Sequence, residues 1–211
     1  MRSAIASCVV AFVSTACIVV TPPPAQPAVA QEGAAAVVAP QPSPASVERG
    51  HVTFLLGAQQ LDEDDWAPTD EPIVFGVELT QQKADAWAGF EVGTRLAGDS
   101  ATVNGVDISL VSWELYGGAR RTFFTDSDLQ PYIGAGITLL LVALEGDCGW
   151  NTTSDEDVSL GAYVHAGCSY RIDQALLGLD VRCVGGTDVD LYGYSSDMDS
   201  TQVCLFVGFG L

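Results

Sequence analysis

His165 and Ser169 are the residues with the makings of a base and its nucleophile, because they share one parity of the stretch VSLGAYVHAGCSYRI at 158–172. A hydroxyl attacks only with a base within hydrogen-bond reach, and four residues of extended chain hold these two about 13 Å apart. Nucleophilic catalysis is not expected, and no catalytic residue is assigned. The acidic runs DEDD at 62–65, DVD at 188–190 and DMD at 197–199 offer hard oxygen ligands for Ca²⁺, but none has the spacing or the glycine of a twelve-residue calcium loop. They read as a solvated, repulsive surface, with no metal and no cofactor expected.

Four cysteines lie beyond the first thirty residues: Cys148, Cys168, Cys183 and Cys204. In an oxidising compartment Cys183 and Cys204 are the disulfide candidates, at similar height on neighbouring strands. Simple alternation sets them on opposite faces, so pairing them requires a bulge. Cys168 is expected to stay a free hydrophobe.

The remaining chemistry is ion pairing. Glu78, Glu91, Arg95, Glu114, Arg120, His165, Arg171, Asp180 and Arg182 fall on one parity of their segments, with many glycines between them. The opposite parity is apolar throughout, as in Leu160, Ala162, Val164, Ala166, Cys168, Tyr170 and Ile172. Period-two patterning of this kind is the mark of a strand with two unlike faces.

Eight such segments position these residues, at about 49–60, 72–81, 86–97, 107–122, 129–144, 158–172, 175–186 and 201–211. Most have the roughly ten residues that a tilted strand needs to cross a bilayer. The connections alternate: LDEDDWAPTDE, AGDSATVNGV, EGDCGWNTTSDED and TDVDLYGYSSDMDS are long, whereas QKAD, FTDSD and DQ are short. The pattern predicts an all-β, eight-stranded antiparallel up-and-down barrel, with long acidic loops at one end and tight turns at the other. A polar face poor in Lys and rich in Gly suits a narrow interior with paired charges, and places the apolar face towards lipid.

Composition agrees. With 27 acidic residues, 8 Lys and Arg and a net charge of −19, the chain lacks the basic patch that phosphate neutralisation requires, so nucleic acid is excluded as a partner. Residues 1–30 carry Arg2, an apolar run and an A-x-A site at Ala28-Val29-Ala30, the pattern of a cleaved signal peptide. Residues 31–47 form an Ala- and Pro-rich leader, expected to be flexible, and 48–211 the barrel domain.

At this point the chain resembles a known group, the small eight-stranded outer-membrane barrels of the OmpA, OmpX and OmpW type. ELYGGARRTF at 114–123, LQPYIGAGITL at 129–139 and the closing VCLFVGFGL carry the resemblance, which spans nearly all of 48–211. The last residue is Leu211, where the family usually ends in Phe. The resemblance implies outer-membrane lipid and the barrel assembly machinery as partners. The expected role is non-enzymatic: envelope integrity or surface interaction, with a lumen closed by ion pairs and acidic external loops that contact a surface ligand. No peptidoglycan-binding segment follows the barrel, so an anchoring role is not expected. Two other readings stand beside it, a narrow solute conduit and a soluble barrel that binds a small apolar ligand.

Overall fold

A computed structural model describes residues 48–83, 86–149 and 151–211; the expected signal peptide and leader, and Trp150, lie outside them. Eight long strands form a closed antiparallel barrel: β1 Glu48–Gln60, β2 Ile73–Lys83, β3 Gly89–Val103, β4 Val106–Thr122, β5 Leu129–Asp147, β6 Thr152–Ile172, β7 Ala175–Gly185 and β10 Ser200–Gly210. Each pairs with the next in the barrel, and β10 closes on β1. A short helix, α1 Glu63–Trp66, and a hairpin, β8 Asp188–Leu191 with β9 Tyr194–Asp197, sit in two of the connections.

The register fixes the barrel's girth. Followed from Gly50 through Gln81, Phe90, Ala119, Ala135, Val164, Cys183 and Thr201, the pairing returns to β1 at Gln60, ten residues further along. A shear of ten on eight strands tilts them by roughly 40° and leaves an interior that side chains can fill.

The faces divide as the alternation requires. Leu56, Ile137, Leu160 and Leu205 are 60, 65, 66 and 68% exposed, and Phe54, Phe75, Phe90, Trp113, Ile133, Leu177 and Phe209 join them in a continuous apolar belt. Soluble monomers rarely expose a contiguous apolar patch beyond a few hundred Å², so this belt is built to face hydrocarbon. Glu78, Glu91, Arg95, Asp180 and Arg182 on the other parity are 2% exposed or less. Leu55, Val74, Leu176 and Phe206 share that interior with them.

Strand ends differ from the sequence expectation. The segments AGDSATVNGV and EGDCGWNTTSDED, expected as loops, are mostly strand: β3 and β4 pair up to Val103↔Val106, and β5 and β6 up to Asp147↔Thr152. Beyond the belt both faces of these ribbons are wet, so the apolar alternation fades while the backbone ladder continues. The β3–β4 connection is the dipeptide Asn104-Gly105, with φ of 53° and 83°, as a two-residue hairpin turn demands.

The other two long connections fold over the loop end of the lumen. Leu61 and Trp66 from the first, and Val189, Leu191 and Met198 from the last, pack with Leu110, Leu140 and Val142 into a buried cluster. The Trp66 indole N–H donates to the Asp197 carbonyl at 2.8 Å, joining α1 to β9. Asp62 caps α1, its Oδ1 accepting from the Asp64 N–H at 3.0 Å, and Asp65 Oδ2 accepts from the Asp197 N–H at 3.1 Å. Several of the acids thus bond loop backbone as well as facing water.

Candidate functional site

The barrel wall aims one charged network into the lumen. Arg95 donates to Asp180 at 3.0 Å and to the side-chain carbonyl oxygen of Gln202 at 2.6 Å. Asp180 also accepts from the Tyr132 hydroxyl at 2.9 Å and lies 2.8 Å from Nδ1 of His165, whose Nε2 is 2.9 Å from Glu91. Carboxylates can only accept, so a ring held between two of them donates from both nitrogens and acts as a cation. Tyr163 donates to Glu91 at 2.7 Å.

Two further pairs extend this core. Arg120 donates to Glu78 at 2.5 Å, and the Tyr116 hydroxyl donates to the same carboxylate at 2.9 Å. Arg182 bonds Glu114, which also accepts from Thr138 at 2.7 Å and from the Gln202 amide at 3.4 Å. Four carboxylates therefore face three guanidiniums and one imidazolium, and the lumen is electrically balanced. A buried charge is tolerable only when paired and hydrogen-bonded, and each of these is.

Rings complete the arrangement. Arg120 lies 3.4 Å above the Tyr132 ring centroid, and Arg182 lies 3.6 Å from that of Tyr163 and 4.1 Å from that of Tyr116. Those π-faces compensate for guanidinium nitrogens that no acceptor reaches: Nε and Nη1 of Arg182, and Nε of Arg95 and Arg120. Each of these rings stands opposite a glycine on the next strand. Tyr116 pairs with Gly93, Tyr132 with Gly167, Tyr163 with Gly136, His165 with Gly134 and Phe206 with Gly178. A Cβ on Gly167 would stand 2.3 Å from the Tyr132 hydroxyl, and one on Gly93 2.4 Å from that of Tyr116. The inward glycines are the floor on which the rings lie.

Of the nine residues expected in a lumen network, Glu78, Glu91, Arg95, Glu114, Arg120, His165, Asp180 and Arg182 come together. Arg171 does not: it lies at the turn end, half-buried, and donates to the Thr125 carbonyl at 3.4 Å. The sequence reading missed Tyr116, Tyr132, Tyr163, Thr138 and Gln202. Their signal was available, since each shares the inward parity of its strand.

The disulfide expectation is corrected. β7 and β10 pair without a bulge, Cys183 opposite Thr201 and Cys204 opposite Asp180. Three positions of register and opposite faces separate the two thiols, and no disulfide joins them. Ser169 and His165 also stay apart: the Ser169 hydroxyl donates to the Gln130 carbonyl at 3.3 Å, while the imidazole is held by Asp180 and Glu91. Glu78, Glu91 and His165 have potential ligand atoms within 4.8 Å of one another. All three are already bonded to Arg120, Tyr116, Tyr163 or Asp180, so a cation there would have to displace existing pairs. The interior around these groups is charged, unlike the apolar calyx of a soluble ligand-binding barrel.

No protein-family model and no curated protein matches the sequence. Solved structures do match the fold. A major outer membrane protein from Thermus thermophilus superposes with a TM-score of 0.54 at 9% identity, over 78% of this chain and 99% of that one. OprG from Pseudomonas aeruginosa gives 0.51 at 17%, over 78% and 94%. Ail of Yersinia pestis, solved in complex with the heparin analogue sucrose octasulfate, gives 0.52 at 9%, over 78% and 97%. The chain has the fold of the small eight-stranded outer-membrane barrels, as its resemblance to them implied.

Proposed function

We propose that this chain is a non-enzymatic outer-membrane barrel whose lumen is closed by its ion-pair network and whose acidic outer end is a contact surface. The observation that carries the reading is the pairing of a lipid-compatible belt outside with a balanced, tightly packed set of charges inside. An open pore would leave its lining charges to water; here Arg182 and Asp180 are 0% and 1% exposed. General diffusion is not the role of such a lumen.

The outer end supplies the function. Seventeen carboxylates between Asp62 and Asp199 lie on the connections and strand extensions there, and among the described residues no Lys or Arg does. Such a surface attracts cationic partners and repels anionic ones. A sulfated polyanion of the kind bound to Ail has the wrong sign for these loops, so a likeness of fold to Ail does not carry its ligand across.

The test is heat-modifiability of protein extracted from outer-membrane fractions. An unheated sample that migrates faster than the boiled one, and needs detergent for extraction, supports the barrel in the membrane. Release into the aqueous fraction without a shift overturns the reading.

A further inference from the structure

The turn end of the barrel, opposite the acidic loops, holds a cavity of about 380 Å³. That volume lies within the range of small-molecule sites. His51, Lys83, Arg120, Arg121 and Arg171 line it, and among the described residues no carboxylate does. For a chain with 27 acidic residues against 8 Lys and Arg, a wall without one carboxylate is a concentrated exception. The nearby acids Asp126, Asp128 and Asp173 are exposed on the turns and contribute nothing to the wall.

One of the cations has donors to spare. Among the described residues Arg171 bonds the Thr125 carbonyl at 3.4 Å and pairs with no carboxylate, although a guanidinium carries five N–H groups. Arg120 bonds Glu78 and stacks on the Tyr132 ring, so it adds positive charge to the wall. Arg120 already serves the balanced lumen network; Arg121, Arg171 and Lys83 are additional to it. The deeper wall is uncharged on one side, where the buried Leu176 and Phe206 form an apolar patch beside Thr53, Gln130 and Ser169. Cations in the wall with an apolar patch beside them fit one class of ligand.

We propose that this cavity binds a small organic anion, a carboxylate or phosphate group carried on an apolar body. The anionic group meets Arg171, and the apolar body lies against Phe206 and Leu176. The network above closes the route through the barrel, so the site is reached from the turn end only.

The test uses the full chain folded in dodecylmaltoside micelles, with phenyl phosphate, benzoate and the neutral benzyl alcohol as probes in ligand-observed saturation-transfer NMR. The two anions should bind saturably and the alcohol should not. Arg171→Gln removes a half-exposed cation and leaves the wall intact, and it should weaken both anions about tenfold or more. Thr80→Glu sets a carboxylate in the wall beside His51, its partner in register, and should abolish binding. Faster gel migration of the unboiled variants checks that both remain folded. Equal affinity in wild type and Arg171→Gln, or benzyl alcohol binding as tightly as benzoate, overturns the site. Added phosphatidylglycerol separates the sources. Competition assigns the anion to a lipid headgroup, its absence assigns it to a water-soluble molecule, and either upholds an anion site.

Discussion

Arg182 shows how single residues hold this interior. Its guanidinium bonds Glu114 and stacks between the rings of Tyr116 and Tyr163, with none of its surface exposed. Arg182→Met keeps the volume and removes the charge, so Glu114 is left buried without its guanidinium. Removing one partner of a buried pair costs about 3–5 kcal/mol, whereas replacing both costs far less. Urea unfolding of the barrel in micelles should show a loss of that order for Arg182→Met and partial recovery in Arg182→Met with Glu114→Gln. A single variant as stable as wild type would mean that the pair contributes specificity and little stability. The sequence exposed most of this network because Glu, Arg and His are conspicuous on a parity otherwise held by glycine. Arg171 shared that parity but lay too near the strand end to reach the others. The tyrosines escaped notice because an aromatic on a polar face looks misplaced until the opposite strand is seen to supply a glycine beneath it.

Elements were legible wherever burial imposed a period. Each of the eight barrel strands is centred on a segment that alternation marked, and their pairing order follows from the short turns between them. The strand extensions, α1 and the β8–β9 hairpin were not legible, since each is short or wet on both faces. The one available clue was composition: Leu61, Trp66, Val189, Leu191 and Met198 are poor choices for loops that only face water. They form the cap, and Asp197 sits at its joint with Asp199 and Asp188 close by. Burial, and then the charges of those two neighbours, push the Asp197 carboxyl above its usual range, against the opposing effect of the Asp199 N–H. A raised folded value means that folding takes up a proton. The stabilisation is full below the unfolded carboxylate range and is lost as pH rises through the folded value. Asp197→Asn keeps the oxygen that accepts from the Asp199 N–H at 2.8 Å and removes the charge. At pH 7 the variant's cap should therefore exchange the Met198 amide, bonded to the Thr187 carbonyl, more slowly than wild type. Below the carboxylate range the two should converge. Faster exchange in the variant at pH 7 would show that the negative charge itself holds the joint.

Across the whole molecule the charge is polarised along the barrel axis. Among the described residues, carboxylates crowd the loop end, the middle is balanced, and the turn end holds Lys83, Arg121 and Arg171. Composition showed the acidity, but only the strand order puts the acids at one end, because the loops that carry them alternate in sequence with turns at the other. Charges this dense raise the local concentration of cationic partners, and salt screens them over about 8–10 Å at 0.1–0.15 M ionic strength. Barrels in zwitterionic nanodiscs should therefore be retained on immobilised polylysine at low salt and released near molar salt, where the screening length is about 3 Å. Neutralising one patch, Asp62→Asn, Glu63→Gln, Asp64→Asn and Asp65→Asn together, should lower the salt needed for release. Asp62 also caps α1 and Asp65 bonds β9, but Asn keeps an accepting oxygen at both positions, so the cap can persist while its charge falls. If neutralisation leaves retention unchanged, the charge of that patch contributes nothing to attraction at the outer end. If retention does not depend on salt, the contact is not electrostatic, and the buried apolar residues of the cap become the surface to test.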